Sequence, residues 1–391
     1  MKKVLVINPG WEQIPLTDRL HAMHSCDLYS INTNNNPSPS KIFRDTYPVR
    51  IRDLAAILAY ADRLQPDAII SDQCDYSLFA QAIISTRLDL PGPVLRAAQI
   101  TNNKLLQRQL AGKAGILIPD YKLCLSPDDA LSFARSFGYP IILKPIDNRG
   151  SIGVTRVRSP DELPTAFFSA LVNSHSRLVL AETFVIGQQI TVDGYVFPGI
   201  GHQSIAYGSK VMCSGDVQVA LGISYPGHLH NSLCKRVMQV NDNVASLFNF
   251  SYGMTHSEYI IQNNKIYFIE AANRGGGVLT SEIVVPLVSG INLIDQYISD
   301  CFGQKSNYYH APEKNPVVLR FFNFKPGRIT AIYNWDTLTH DPRCVYSRLM
   351  AKPGDQISKI TSDADRHGFI IFRGSIHEAD SLISKVQVNY V

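Results

Sequence analysis

The sequence lacks the features that mark several large protein classes. Its seven cysteines (Cys26, Cys74, Cys124, Cys213, Cys234, Cys301 and Cys344) are scattered, and no two have CxxC spacing. That disfavours a zinc site or a disulfide framework and fits a reducing cytosol. No apolar stretch approaches the roughly 20 residues a membrane span needs. The apolar run Val4–Ile7 that follows the basic start is too short for a signal peptide. There is no block of Lys and Arg, and the net charge is only +4. Nucleic acid is therefore not indicated, whereas a basic pocket for an anionic ligand accounts for the balance. The first strand is followed by NPGWEQIP, not GxGxxG, and no GxxxxGK[ST] occurs. Both dinucleotide-binding and P-loop readings are disfavoured. The expectation is a soluble, cytoplasmic protein without nucleic-acid or membrane partners.

At 391 residues the chain exceeds one compact core, so two or three domains are expected. KVLVI (3–7), DLYSI (27–31) and DAIIS (67–71) read as strands, and segments 53–64 and 77–88 have helical spacing. The alternation predicts a parallel α/β domain over 1–98, with NTNNNPSPS (32–40) as a loop and LPGP (90–93) as a break. TNNKLLQRQLAGKAG (101–115) reads as a helix with Thr101 as N-cap, and SPDDALSFARSFG (126–138) as another, capped by Ser126. YPIILKP (139–145) and VTRVR (154–158) form an expected hairpin around the loop 146–153. Strands are expected at 177–185 and 188–197, on either side of Gly187, with a helix near 234–248. MTHSEYII (254–261) and KIYFIEA (265–271) are two further strands joined by the turn QNN. From Pro316 the chain is rich in β-forming residues and Pro/Gly turns.

Three constellations carry chemistry. IILKPIDNRGSIGV places Lys144 at a strand end before a Gly/Ser loop, where small residues let backbone N–H groups approach phosphate oxygens. Taken alone, a flexible hairpin with a surface lysine is the better reading. Glu258 and Glu270 lie on the two strands around QNN, so a hairpin would bring the carboxylates face to face. Such a pair repels unless a cation intervenes, and carboxylates beside phosphate are a common Mg²⁺ arrangement. The plain alternative is two exposed carboxylates with Lys or Arg partners, although Glu270 ends an apolar run where a free charge is costly. In YFIEAANRGGG (267–277), Arg274 offers a planar fork for carboxylate or phosphate, and Gly275–Gly277 have N–H groups that could contact an oxyanion. The plain alternative pairs Arg274 with Glu270 and has the glycines only turn the chain.

In this order, TNNK, YPIILKPIDNRGSIGV, LVLAETFVIGQQITVDG and HSEYIIQNNKIYFIEAANRGGG resemble the ATP-grasp superfamily over about residues 100–300. The resemblance implies a mixed α/β chain in three parts. These are a Rossmann-like pre-ATP-grasp domain (1–98), an ATP-grasp domain of two α+β subdomains (99–315) and a small β-rich C-terminal domain (316–391). It implies ATP and Mg²⁺, or Mn²⁺, as cofactors. Lys104 and Lys144 would hold the phosphates, and Ser151, Ile152 and Gly153 would form the loop that closes over them. Glu182, Thr183, Phe184 and Val185 would meet the adenine edge. Gln189 stands where the family usually has a ribose-binding Glu. Glu258 and Glu270 would be the metal ligands. Asn273 stands one place after the family's usual Asn, whose position is taken by Ala272, and would substitute for it as a third metal ligand. Arg274 would steady an acyl-phosphate, Lys210 would contact the γ-phosphate, and His256 would stand beside the metal.

The string IEAANRGGG and the C-terminal extension bring the pattern nearest to the ATP-grasp L-amino acid ligases. The implied activity is an ATP-dependent carboxylate–amine ligase forming a peptide-type bond, with a small carboxylic acid and an amine as substrates and a homodimer as the suggested assembly. The alternatives are a purine-type or carboxylase-like ATP-grasp enzyme, or a nucleotide-binding module without turnover. Trp11 and the NPG turn are placed near substrate by topology, since ligands collect at the carboxyl ends of parallel strands. Arg320, Lys325, Arg366, His367 and Arg373 have two readings: some of them reach the active site and recognise substrate, or, as the better reading, they belong to a solvated β-rich domain packed on the core.

Overall fold

The structure, a computed structural model, describes residues 1–391 except 24, 34–39, 214–216, 305–311 and 314. Most of the expected 32–40 loop therefore lies outside the described residues. The N-terminal part is a four-stranded parallel sheet in the order β3-β2-β1-β4: β1 (Lys2–Ile7), β2 (Cys26–Asn32), β3 (Phe43–Pro48) and β4 (Ala68–Ile70). Val4, Leu5, Val6 and Ile7 are buried to within 1%. Strands covered on both faces read as such continuous apolar runs. Val4 and Val6 face Leu16 and Leu20. Leu5 and Ile7 face Ile57, Ala61, Ala80 and Ile84, on the helices Leu54–Leu64 and Asp75–Leu88.

The middle of the chain builds two sheets that enclose a cleft. The smaller holds β5 (Tyr121–Cys124), β6 (Ile141–Pro145), β7 (Thr155–Val157) and β8 (Val179–Thr183) in the order β5-β8-β6-β7, with the expected β6–β7 hairpin. The helices Pro127–Phe137 and Leu163–Val172 cover one face through Phe133, Ala134, Ala166 and Phe167. Ser126 caps the first of them in a capping box with Asp129. The helix after residue 100 begins later than expected. Thr101 ends the helix Leu95–Thr101, and Asn103 caps Lys104–Lys113 by accepting from the Leu106 N–H.

The larger sheet holds β9 (Gln188–Phe197), β10 (Gly201–Met212), β11 (Ala220–Tyr225), β12 (Gly253–Gln262), β13 (Lys265–Ala272) and β14 (Val317–Phe321). The helix Asn231–Leu247 covers it through Leu233, Val237 and Val244. Of the C-terminal strands β15 (Gly327–Tyr333), β16 (Cys344–Leu349), β17 (Gln356–Ile357), β18 (Gly368–Arg373) and β19 (Gln387–Tyr390), two extend this same sheet, whose order is β13-β12-β9-β10-β11-β14-β18-β16. The pairing of β11 with β14 is therefore continuous across the start of the C-terminal segment. No helix among the described residues is long and apolar enough to cross a membrane.

Candidate active site

A cleft of about 500 Å³ opens between the two sheets and is closed at one end by the N-terminal and C-terminal parts. Strand alternation decides what faces it. Along β12, Ser257 and Ile261 are buried away from the cleft, while His256, Glu258 and Ile260 line it together with the buried Tyr259. Glu258 and Glu270 are direct partners across the β12–β13 pair, as the hairpin reading expected. The register shifts between Glu258 and Tyr259, leaving Ile269 as the extra residue of β13, and both Ile269 and Glu270 line the cleft. Bulges of this kind re-aim a side chain next to a site.

Each of these two facing carboxylates has a cation. Lys104 Nζ lies 2.8 Å from Glu270 Oε1 and also donates to the Asn148 carbonyl at 2.6 Å. Lys210 Nζ lies 2.5 Å from Glu258 Oε1. Burial alone would raise the Glu258 carboxyl, but Lys210 and His256 overcome it and hold it well below the usual carboxylate range. His256 Nδ1 sits 2.7 Å from Asp193 Oδ1, and the other oxygen of that carboxylate, Oδ2, accepts from the Tyr225 hydroxyl at 2.8 Å. Burial lowers the His256 pKa, and Asp193 more than reverses this, so its value is raised.

On the opposite wall, Lys144 Nζ lies 2.7 Å from Glu182 Oε2, and Arg108 Nε approaches Glu182 Oε1 at 2.8 Å without hydrogen-bond alignment. All three side chains are less than a tenth exposed, and Arg108 is completely buried, with its guanidinium 5.7 Å from the Phe268 ring centre. Burial drives the Lys144 pKa down to about 8, opposed by Glu182. The Glu182 carboxyl, raised by burial, is brought below its usual range by Arg108 and Lys144. Thr183, Phe184, Val185 and Gln189 line the same part of the cleft. Among the described residues, no hydrogen bond takes up the Val185 N–H.

The 146–153 loop is anchored at its base. The Asp147 carboxylate accepts from Ser174 Oγ and from the His175 and Ser176 N–H groups. Its tip crosses the cleft, where Ser151 Oγ donates to the Gln218 carbonyl at 2.8 Å and the Gly150 carbonyl accepts from the Asp363 N–H at 3.1 Å. Ser151 and Ile152 line the cleft; Gly153 does not, because it packs over Asn173 and Pro145.

Arg274 lines the far end and pairs with Asp75, not Glu270, with Nε at 2.9 Å and Nη2 at 3.3 Å. The first two of the three glycines after it also differ from the oxyanion reading. The Gly275 N–H is spent on Asp72 Oδ1 at 2.7 Å and that of Gly276 on Ser281 Oγ at 2.9 Å. A Cβ at Gly275 would lie 2.6 Å from Ser281 Oγ and 2.7 Å from Asp72 Oδ2, so close approach requires glycine there. Asn273 is turned away from the cleft. Its amide donates to the Tyr252 and Met254 carbonyls inside the core. Among the described residues, no group of three or more His, Cys, Asp or Glu could hold a metal. A pair of carboxylates beside phosphates is nonetheless a sufficient donor set for Mg²⁺, which keeps several waters.

No motif in the sequence marks Glu12, Asp75 and Arg149, which line the cleft, or Asp72 and Arg108, which brace it; Glu12 accepts from the Val278 N–H and the Arg149 guanidinium lies 5.2 Å from the Tyr76 ring centre. Asp72 and Asp75 follow β4 at its carboxyl end, the place where parallel sheets collect ligands, and that signal was available. Trp11 does line the cleft, as does Arg366 from the C-terminal segment; Arg320, Lys325, His367 and Arg373 do not.

The fold and site resemble those of ATP-grasp proteins, and residues 137–282 match the ATP-grasp domain. The C-terminal segment refines this, since residues 320–388 match L-amino acid ligase C-terminal domain 2. Across the whole chain, the fold resembles the crystal structure of the L-amino acid ligase from Bacillus licheniformis. That match has a TM-score of 0.84 at 16% identity and covers 100% of this chain and 99% of that one. Among curated proteins, similarity extends to the uncharacterized protein y4rH of Sinorhizobium fredii, 24% identical over 307 residues. It also extends to a phosphoribosylamine–glycine ligase of Methanocorpusculum labreanum, 27% identical over 197 residues. These alignments cover 77% and 50% of this chain but only 63% and 46% of the relatives' lengths.

Proposed function

We propose that the protein is an ATP-dependent, ADP-forming carbon–nitrogen ligase that joins a small carboxylic acid, an amino acid in the first instance, to an amine. The observation that carries this reading is the pairing within the cleft. Lys104 with Glu270 and Lys210 with Glu258 are ion pairs whose members suit, respectively, phosphate oxygens and Mg²⁺. A magnesium triphosphate brings both kinds of charge, so its binding exchanges partners and leaves no buried charge unmatched.

In this reading Lys104 and Lys144 hold the phosphates and Lys210 the γ-phosphate. Ser151 and Ile152 cover them from the loop, whose tip is tied down by Gln218 and Asp363. Glu182, Thr183, Phe184, Val185 and Gln189 receive the adenosine end. Glu258 and Glu270 hold the metal, which supplies charge neutralisation for the triphosphate. Arg274, steadied by Asp75, holds the substrate carboxylate in line with the γ-phosphorus. A carboxylate oxygen attacks that phosphorus and ADP departs, leaving an acyl-phosphate. The amine nitrogen then attacks the carbonyl carbon, phosphate departs, and the amine proton is lost to solvent. The chain's contribution is positioning and electrostatics, with water excluded while the acyl-phosphate exists.

The test is phosphate release from magnesium ATP with amino acids supplied singly and in pairs. The reading expects ADP and phosphate in step with ligated product for a defined acid and amine. Nucleotide binding without turnover across acids and amines of every class would overturn it.

A further inference from the structure

Behind Arg274, outside the cleft, two acids are buried against each other. Asp72 follows β4 and is 2% exposed; Glu282 stands in the helical turn Thr280–Val284 and is 6% exposed. Asp72 Oδ1 accepts from the Gly275 N–H, and Glu282 Oε1 accepts from Gln73 Nε2. The other two oxygens, Asp72 Oδ2 and Glu282 Oε2, are buried and have no donor among the described residues. The two carboxyl groups lie within hydrogen-bonding reach of each other. Two ionised carboxylates so placed would repel, and neither buried oxygen would be satisfied. One proton between them removes both penalties. The charged and titratable groups around the pair supply no other donor. Glu12, after β1, adds negative charge; Arg274 donates to Asp75 and to the Gly275 carbonyl; Tyr297, on the helix Leu293–Cys301, donates to the Ser71 carbonyl. Burial, and then Asp72, raises the Glu282 carboxyl well above the usual carboxylate range.

The pair joins two strained pieces of backbone. Gln73 has a φ of 56°, and Val278 and Leu279, just before the Glu282 turn, have φ of 58° and 60°. Residues other than glycine rarely adopt such values and keep them only where the surroundings over-determine them, often at functional sites. Gln73 ties the two pieces a second time, since its Oε1 accepts from the Leu279 N–H. Both pieces hold Arg274. Its Nε donates to Asp75, three residues after Asp72, and its Nη1 donates to the carbonyl of Gly275, whose own N–H is on Asp72.

We propose that Asp72 and Glu282 share one proton at neutral pH, and that Glu282, as the neutral donor, is a positioning residue that fixes Arg274. The shared proton is independent of the ligase reading above; the positioning role rests on it.

The test uses the whole chain as wild type, Glu282→Gln and Glu282→Ala. An amide keeps an acceptor for Gln73 and a donor for Asp72, so Glu282→Gln copies the protonated acid, whereas Glu282→Ala has no donor. The infrared difference between wild type and Glu282→Gln at neutral pH should contain the C=O band of a protonated carboxyl, and the band should shift in D₂O. Above pH 4.5 Glu282 is ionised in the unfolded chain but keeps its proton in the folded one. Wild type therefore loses stability from this group as pH rises, and Glu282→Gln does not. The Tm of Glu282→Gln should exceed that of wild type by a gap that widens from about pH 5 to about pH 8. In Glu282→Ala, kcat should fall about 10- to 100-fold with KM for ATP unchanged, and Glu282→Gln should restore most of it. No protonated-carboxyl band, or a Tm gap that is absent, negative or constant with pH, would overturn the shared proton. Equal kcat in the two variants, or a loss carried by KM for ATP, would overturn the positioning role. A wild type that ligates nothing would overturn the ligase reading and the positioning role with it, while the infrared and melting results would still decide the proton.

Discussion

Replacing Glu270 by Gln separates the fold from the chemistry. The side chain keeps its shape but loses its charge. Its partner Lys104 keeps the Asn148 carbonyl at 2.6 Å, so the lysine is not left alone. The Lys104–Glu270 pair is partly exposed, at 9% and 31% for the two side chains, and pairs of that kind contribute about 0–1 kcal/mol. For a chain of this size that is a Tm change of about 2–4 °C at most. Turnover is a different matter. Loss of one preorganised charge at a phosphoryl-transfer centre costs about 2.7–4 kcal/mol, or about 10²–10³-fold in kcat. The assay is steady-state phosphate release at saturating ATP over a Mg²⁺ titration, with melting curves alongside. Near-normal kcat at low Mg²⁺ would refute the metal assignment. A Tm fall far beyond the expected range would show that Glu270 is a structural residue.

Three further outcomes are expected. Lys144 is held at about pKa 8 by burial, so free enzyme loses this cation as pH rises through 8. ATP affinity should fall across that pH range, and Lys144→Arg, which stays charged, should flatten the profile in an isothermal titration series; an unchanged profile would contradict Lys144 as a phosphate ligand. The same depression has a sign for stability. The unfolded chain binds more protons between pH 8 and 10.5, so burial of Lys144 costs stability below 8, and that cost is relieved as pH rises through the window. Arg108→Ala removes a completely buried partner of Glu182, and urea unfolding should show a loss of about 3–5 kcal/mol; a loss under about 1 kcal/mol would contradict the buried triad as a structural unit. Asp75→Asn frees Arg274 from its bidentate partner, so kcat should fall about 10- to 100-fold while KM for ATP holds. A change confined to KM for ATP would contradict its positioning role.

What the sequence disclosed follows the range of the interactions. Local signals were read well. The Ser126 capping box, the QNN hairpin and the apolar run of β1 each depend on a few adjacent residues. The β12–β13 facing of Glu258 and Glu270 followed from the short turn, although the bulge that aims Glu270 has no local signature. The misplaced N-cap shows the limit of propensity. Thr101 and Asn103 are both good caps, and the choice is set by a preceding helix and by the Lys104 N–H bonding to the Ile146 carbonyl 42 positions on. β3, an edge strand of mixed polarity (FRDTYP), lacked the alternation that would have marked it. Long-range partners were illegible. Nothing near Arg274 points to Asp75, nothing near Gly275 to Asp72, and nothing in the C-terminal segment says that β14 joins β11 or that Arg366 enters the cleft while its neighbour His367 does not.

The central claim is that a carboxylate of one substrate becomes an acyl-phosphate in this cleft. Its most direct test is to supply the acid with ¹⁸O in its carboxylate, together with ATP, Mg²⁺ and the amine. The account predicts ADP as the nucleotide product and one ¹⁸O carried into the phosphate released as the product forms. Label in AMP, or product formation with unlabelled phosphate, would contradict it.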